Sequence, residues 1–150
     1  MEKDAKSDLP QSHMEVQGVL CKTFYEKFGK EALPIIEDVF RRWGKVLGER
    51  MKQKLGDMDF KTAALTYIEP ALHRKPKAEI IKATDTRVEM KAYACPYLLN
   101  GQGKEICEAM MAMDSEIIGT IIKDKIRLEL PKSLAMGDEY CHGIFTKLEQ

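Results

Sequence analysis

No apolar run in the 150-residue sequence approaches the roughly eighteen residues that a membrane-spanning helix needs, so no membrane partner is expected. Charge of one sign is missing too. The 24 Lys+Arg balance 24 Asp+Glu, and without a basic excess or stripe a general nucleic-acid binder is excluded. The opening residues Met1-Glu2-Lys3-Asp4 are charged where a secretory signal would be apolar, so the expected location is the cytoplasm. The four cysteines, Cys21, Cys95, Cys107 and Cys141, include no Cys-x-x-Cys pair. In a cytosolic chain they are thiols or metal ligands rather than disulfides. Asn100-Gly101-Gln102-Gly103 lacks both the preceding strand and the Gly-Lys-Ser/Thr ending of a phosphate loop. There is no internal repeat and no low-complexity segment.

What is present is a soluble globular composition, 32% charged and 44% hydrophobic, long enough to bury a core without staples. Residues 1–11 are polar and read as a flexible tail, followed by a single domain over 12–150. Its first part, 12–75, is helical. Ser12 and Glu15 form a capping-box pattern ahead of Val16, Val19, Leu20, Phe24 and Phe28 at helical spacing, with Gly29 as the stop. Cys21 lies close to that stripe and reads as a small core residue. A second helix tolerates Pro34 in its first turn and carries Ile35, Val39, Trp43, Leu47, Met51 and Leu55 as one stripe, closing at Gly56. These apolar faces could serve a homodimer or a monomer core equally. A third helix, about Phe60 to His73, starts at an Asp57 or Asp59 cap and is ended or kinked by Pro70.

After the basic linker His73-Arg74-Lys75-Pro76-Lys77 the period changes from helical to alternating. Strands are expected at 78–83 and 86–94, a long helix at 104–123, a strand at 126–130 stopped by Pro131, and a last strand at 140–148. The class is therefore α+β: about three helices, then a four-stranded antiparallel sheet with a long helix between its two hairpins.

On the long helix, Cys107 and Asp114 are two turns apart and share one side, inside the apolar arc of Ile106, Met110, Met113, Ile117 and Ile121. A carboxyl in that position is costly unless it is hydrogen-bonded, paired or coordinated. Asp114 either accepts hydrogen bonds from loop backbone or faces a pocket as base, orienting acid or ligand. Cys95 ends the second strand, where parity alone would put it with Tyr93 on the polar face. Cys141 shares a face with Gly143 and Phe145, whereas His142 points the other way with Tyr140 and Ile144 unless a bulge intervenes. Three readings stay open for Cys95, Cys107, Cys141 and His142: buried thiols, a zinc or other transition-metal centre, or one nucleophilic cysteine assisted by His142 or Asp114.

Tyr93-Ala94-Cys95-Pro96, Glu105-Ile106-Cys107, Asp114 and the run Leu130-Pro131-Lys132-Ser133-Leu134-Ala135-Met136-Gly137-Asp138-Glu139-Tyr140-Cys141-His142 resemble the L-2-amino-thiazoline-4-carboxylic acid hydrolase-like family. The ending Gly-Asp-x-x-Cys also resembles 4-vinyl-reductase-type domains, small-molecule- or metal-binding modules. The first resemblance implies hydrolysis of a small cyclic amidine or thiazoline carboxylate, a C–N bond hydrolysis that opens the ring. On it, Asp114 is the base, Cys141 and His142 belong to the catalytic group, and Cys95, Tyr93, Cys107, Asp138 and Arg127 are the ligand-binding set, Arg127 as carboxylate clamp. The alternative is a non-catalytic sensor-type domain that uses Cys95, Cys107 and Cys141 to hold a small molecule or a metal.

Overall fold

The computed structural model describes residues 9–148. Most of the expected N-terminal tail, residues 1–8, lies outside the described residues. The elements run α1 (His13–Phe28), a 3-10 turn (Gly29–Glu31), α2 (Ala32–Leu55), α3 (Phe60–Leu72), β1 (Glu79–Ala83), β2 (Arg87–Ala92), α4 (Lys104–Ile122), β3 (Ile126–Lys132) and β4 (Cys141–Lys147). The fold is α+β, with three helices ahead of a four-stranded antiparallel sheet in the order β1-β2-β4-β3. No helix among the described residues is long and apolar enough to cross a membrane.

Local chemistry accounts for the boundaries. The Ser12 hydroxyl accepts from the Glu15 amide at 3.1 Å, and the Glu15 carboxylate in turn accepts from the Gln11 amide, one residue before the position a regular capping box uses. Of the two aspartates expected to cap α3, Asp59 is the one, accepting from the Thr62 amide at 2.8 Å. Pro70 removes one helix donor, and α3 ends two residues later. Pro131 does not stop β3. The strand continues to Lys132 with a register shift between Glu129 and Lys132. This is tolerated because β3 is an edge strand, where a missing donor costs no ladder bond.

The core lies around α4, which buries Ile106, Met110, Ile117, Ile118 and Ile121. The sheet covers one side of it, through Val88, Phe145 and Leu128, and α2 covers another. The α2 contact does not run through the apolar stripe, whose role the sequence left open. Its buried face is Ala32, Ile36, Phe40, Gly44 and Gly48, while Ile35, Val39, Trp43 and Leu55 of the conspicuous stripe are exposed. The reason is distance. A Cβ on Gly44 would stand 2.7 Å from the Met113 carbonyl oxygen, and one on Gly48 2.8 Å from that of Ile117. The helix backbones therefore approach more closely than a seam of Leu and Val permits. The apolar stripe of α1 is likewise turned out at Val16, Leu20 and Phe28, with Phe24 and Cys21 packed against the core from partly buried positions.

Gly44→Ala and Gly48→Ala are expected to destabilise the protein by about 1–3 kcal/mol through overpacking, despite a helix-propensity gain of about 1 kcal/mol. Equilibrium urea unfolding would read the change. A neutral or stabilising result would mean that α2 does not sit this close to α4.

Candidate functional site

Asp114 is held in the α4 face that meets α3 and the sheet, 9% exposed, and accepts a hydrogen bond from the Tyr67 hydroxyl of α3. The Tyr67 ring packs edge-on against Phe145 of β4, with centroids 6.4 Å apart, which fixes the phenol between helix and sheet. Burial pushes the Asp114 carboxyl up from the ordinary value of 3.8 to about 7, partly opposed by the Tyr67 hydrogen bond, which favours the charged form. Tyr67 is raised well above 10.0, first by burial and then by the Asp114 charge. Tyr97, buried after the Cys95-Pro96 turn, is raised by the same two causes in the same order. Arg74 acts on both phenols in the opposite sense and so brings a positive charge to this end of the fold.

The three late cysteines lie around Cys107, on which Cys141 and Cys95 act more strongly than Asp114 does. Cys141 pairs in register with Ala92 on the inner face of the sheet, with Gly143 and Phe145 following on the same face. Its Sγ accepts from the Leu134 amide at 3.3 Å. Cys95 lies beyond the end of β2, and its Sγ accepts from the Leu99 amide at 3.5 Å. It packs against the core rather than joining Tyr93 on the polar face, because the chain turns at Pro96. Cys107 is raised to about 12, first by burial and then by Cys141, Cys95 and Asp114 in that order. Burial also raises Cys141. All four cysteines are free thiols.

Other residues expected at the site are elsewhere. The β2–β4 register runs without a bulge, so His142 stays on the outer face, where Nε2 lies 3.0 Å from Glu89 Oε1. It does not face Asp114 or Cys141. Among the described residues no group of three or more His, Cys, Asp and Glu side chains is placed to hold a metal ion. Tyr93 is also outward, its hydroxyl 2.9 Å from Glu79 and its ring 6.1 Å from that of Tyr140. Arg127 lies 3.8 Å from Glu129 on the exposed face of edge strand β3. Asp138 accepts from the Ser133 amide at 2.9 Å and so closes the turn before β4. Of the expected set, Asp114, Cys95, Cys107 and Cys141 are brought together. Tyr67, Tyr97 and Arg74 were not expected. A groove of about 580 Å³ between α2, α4 and β3, floored by Ala109, Ala112, Leu128 and Leu130, includes none of these groups in its lining.

The arrangement defines a class: an α+β domain that wraps one central helix and closes a buried acid–phenol–thiol cluster between that helix and its sheet. Among the solved structures that share the fold are a sensory domain and a trafficking subunit. One is the phenol-responsive sensory domain of the transcription activator PoxR with phenol (TM-score 0.66, 14% identity, covering 93% of this chain and 76% of that one). The other is trafficking protein particle complex subunit 3 from Naegleria fowleri, covalently bound to palmitic acid (TM-score 0.63, 14% identity, covering 91% and 95%). No curated protein matches the sequence. The family of L-2-amino-thiazoline-4-carboxylic acid hydrolase matches over residues 11–145, and the chain belongs to that family.

The raised carboxyl has a consequence for stability. Its folded pKa of about 7 exceeds the ordinary 3.8, so the folded state holds the proton more tightly. Its contribution is intact below about pH 4 and is lost as pH rises through about 7. Asp114→Asn removes the titration. At pH 8 the variant is expected to be more stable than the parent by about 1–4 kcal/mol, with the gap closing towards pH 4. Urea midpoints of both proteins across pH 4–8 test this; parallel pH profiles would place the titration elsewhere.

Proposed function

We propose that this chain is a hydrolase for a small cyclic amidine of the thiazoline carboxylate type, with Asp114 moving the proton. The observation that carries the reading is a carboxyl buried on the inner face of α4 and held by the Tyr67 hydroxyl, a burial that pushes its pKa up to about 7. At neutral pH such a group is populated both as base and as acid, the condition for efficient proton transfer in either direction. The family membership supports the reaction class.

The carboxylate of Asp114 takes a proton from water as the water oxygen attacks the amidine carbon. The bond from that carbon to the departing ring atom then breaks, and the protonated Asp114 returns its proton to that atom. The water oxygen stays as the carbonyl oxygen, and its two protons end on heteroatoms of the product. Tyr67 holds the carboxyl in place and tunes its pKa, and Arg74 is the cation best placed to attract the substrate carboxylate. His142, on the far face of the sheet, has no part in the step. Cys107 and Cys141, both raised by burial, line the site as neutral thiols.

A second reading is a non-catalytic small-molecule sensor. It is favoured by the closed packing over Asp114 and Cys107, and by neighbours of the same fold that hold phenol or covalent palmitic acid. Incubation with 2-amino-thiazoline-4-carboxylate, followed by mass spectrometry for a product heavier by one water, separates the two. Turnover is expected, with an acidic limb near pH 7. Asp114→Asn should lower kcat by about 10²–10⁴-fold. Tyr67→Phe should move the limb upward, because the lost hydrogen bond favoured the carboxylate. Binding in calorimetry without turnover would leave the sensor reading; neither binding nor turnover would end both.

A further inference from the structure

Tyr93, Tyr140 and His142 belong to the outer face of the sheet, away from Asp114, and they stand beside a row of basic residues. Lys91 of β2 and Lys132 of β3 are both register partners of His142 on β4, so three basic side chains lie side by side across three strands. Basic groups ranged in this way are unfavourable without a counter-charge. The nearby acids are engaged elsewhere. Glu89 is shared between Arg87 Nε at 3.1 Å and His142 Nε2 at 3.0 Å, and Glu129 lies 3.8 Å from Arg127. Glu79 is the register partner of Lys91 on β1, yet its carboxylate accepts from the Tyr93 hydroxyl at 2.9 Å. Among the described residues no carboxylate pairs with Lys91 or Lys132. Both ammonium groups turn instead to one ring: Lys91 Nζ is 4.6 Å and Lys132 Nζ 5.1 Å from the centroid of Tyr140. The two nitrogens are therefore within about 10 Å of each other, roughly a Debye length. The ring attracts both ammoniums and cancels neither charge.

We propose that Lys91 and Lys132, gathered at the Tyr140 ring, form a site for a phosphate dianion, free or as the monoester of a small molecule. Two ammonium groups without counter-charges match two negative charges, which a phosphate carries at neutral pH and a single carboxylate does not. Their long, flexible stems let both reach one anion, and each N–H···O bond to it is charge-assisted. Lys132 is exposed and Lys91 half-buried, so the anion has access from solvent and a fixed partner at the sheet. Tyr93, 38% exposed with its ring 6.1 Å from that of Tyr140, offers an aromatic surface to the organic part of a monoester. Glu79, Glu89 and Glu129 border the patch, so an extended polyanion would meet acids where a small anion does not. The site lies on the opposite face of the sheet from Asp114, and the inference does not depend on the hydrolytic reading.

Titration of the 15N-labelled chain with sodium phosphate, at ionic strength held constant with sodium chloride, tests it through amide shifts. Saturable shifts at Lys91, Lys132, Tyr140 and His142 are expected, with a Kd below about 10 mM. Lys91→Gln and Lys132→Gln should each weaken binding about tenfold while the rest of the amide spectrum stays in place. Arg127→Gln, on the same face but paired with Glu129, should leave the affinity within about twofold. Phenyl phosphate binding more tightly than phosphate assigns the site to monoesters; equal affinity assigns it to the free ion. No saturable shift by about 20 mM phosphate overturns the proposal. So does acetate binding as tightly as phosphate, or phosphate binding that both lysine variants leave unchanged.

Discussion

Gly44 and Gly48 let the backbone of α2 lie directly on α4, and most of the architecture follows from that approach. A helix that presents glycine to its neighbour cannot also present its Val and Trp side chains there, so the apolar stripe of α2 turns to solvent. The contact immobilises α4 along the stretch from Met113 to Thr120. Asp114 sits within that stretch, and its position against Tyr67 is set by a helix held from behind. Loosening α2 would therefore be felt at the acid, although no α2 side chain bonds to it among the described residues.

A carboxyl inside an apolar face is a cost the fold carries at neutral pH. The Tyr67 hydroxyl offsets part of it, and burial still leaves the pKa near 7. For packing alone a leucine or asparagine would serve with less strain on stability. Retaining an acid that titrates near neutral pH makes sense where the proton is used, since stability given up at a site is commonly linked to its function.

The sequence revealed the class of fold because period and punctuation agreed with tertiary structure: caps at Ser12 and at one of Asp57 and Asp59, stops at Gly29 and Gly56, and alternation in β2 and β3. Parity alone separated Cys141 from His142, and the regular register kept them apart. Asp114 and Cys107 stood out as polar or sulfur groups on an apolar arc. Other features needed three dimensions. Counting apolar residues on α2 left its stripe open between a core face and a partner face and did not reveal that the buried face runs through Gly44 and Gly48, because close packing through glycine leaves no hydrophobic signal. Tyr67 looked like an ordinary amphipathic residue of α3, and its hydroxyl gains meaning only when α3 is laid across α4. Arg74 was hidden in a basic linker, and Asp138, in a motif that drew notice, serves a turn.

The protonation states of the cluster limit what chemistry it can run. A nucleophilic cysteine needs a thiolate, and thiolates are made by nearby cations or helix N-termini. Cys107 has the opposite surroundings: burial and neighbouring groups of potential negative charge push it to about 12, so its thiolate is negligible at neutral pH. Cys141 is raised by burial as well, and His142, which could have served as its base, lies across the sheet. A covalent thioester-like route through these two thiols would have to begin from the less reactive form of each. Asp114 has no such handicap, because a group with a pKa near 7 accepts and returns a proton at little cost. The proposed hydrolysis is thus better served by water activated directly by the carboxyl, whose burial keeps its pKa high.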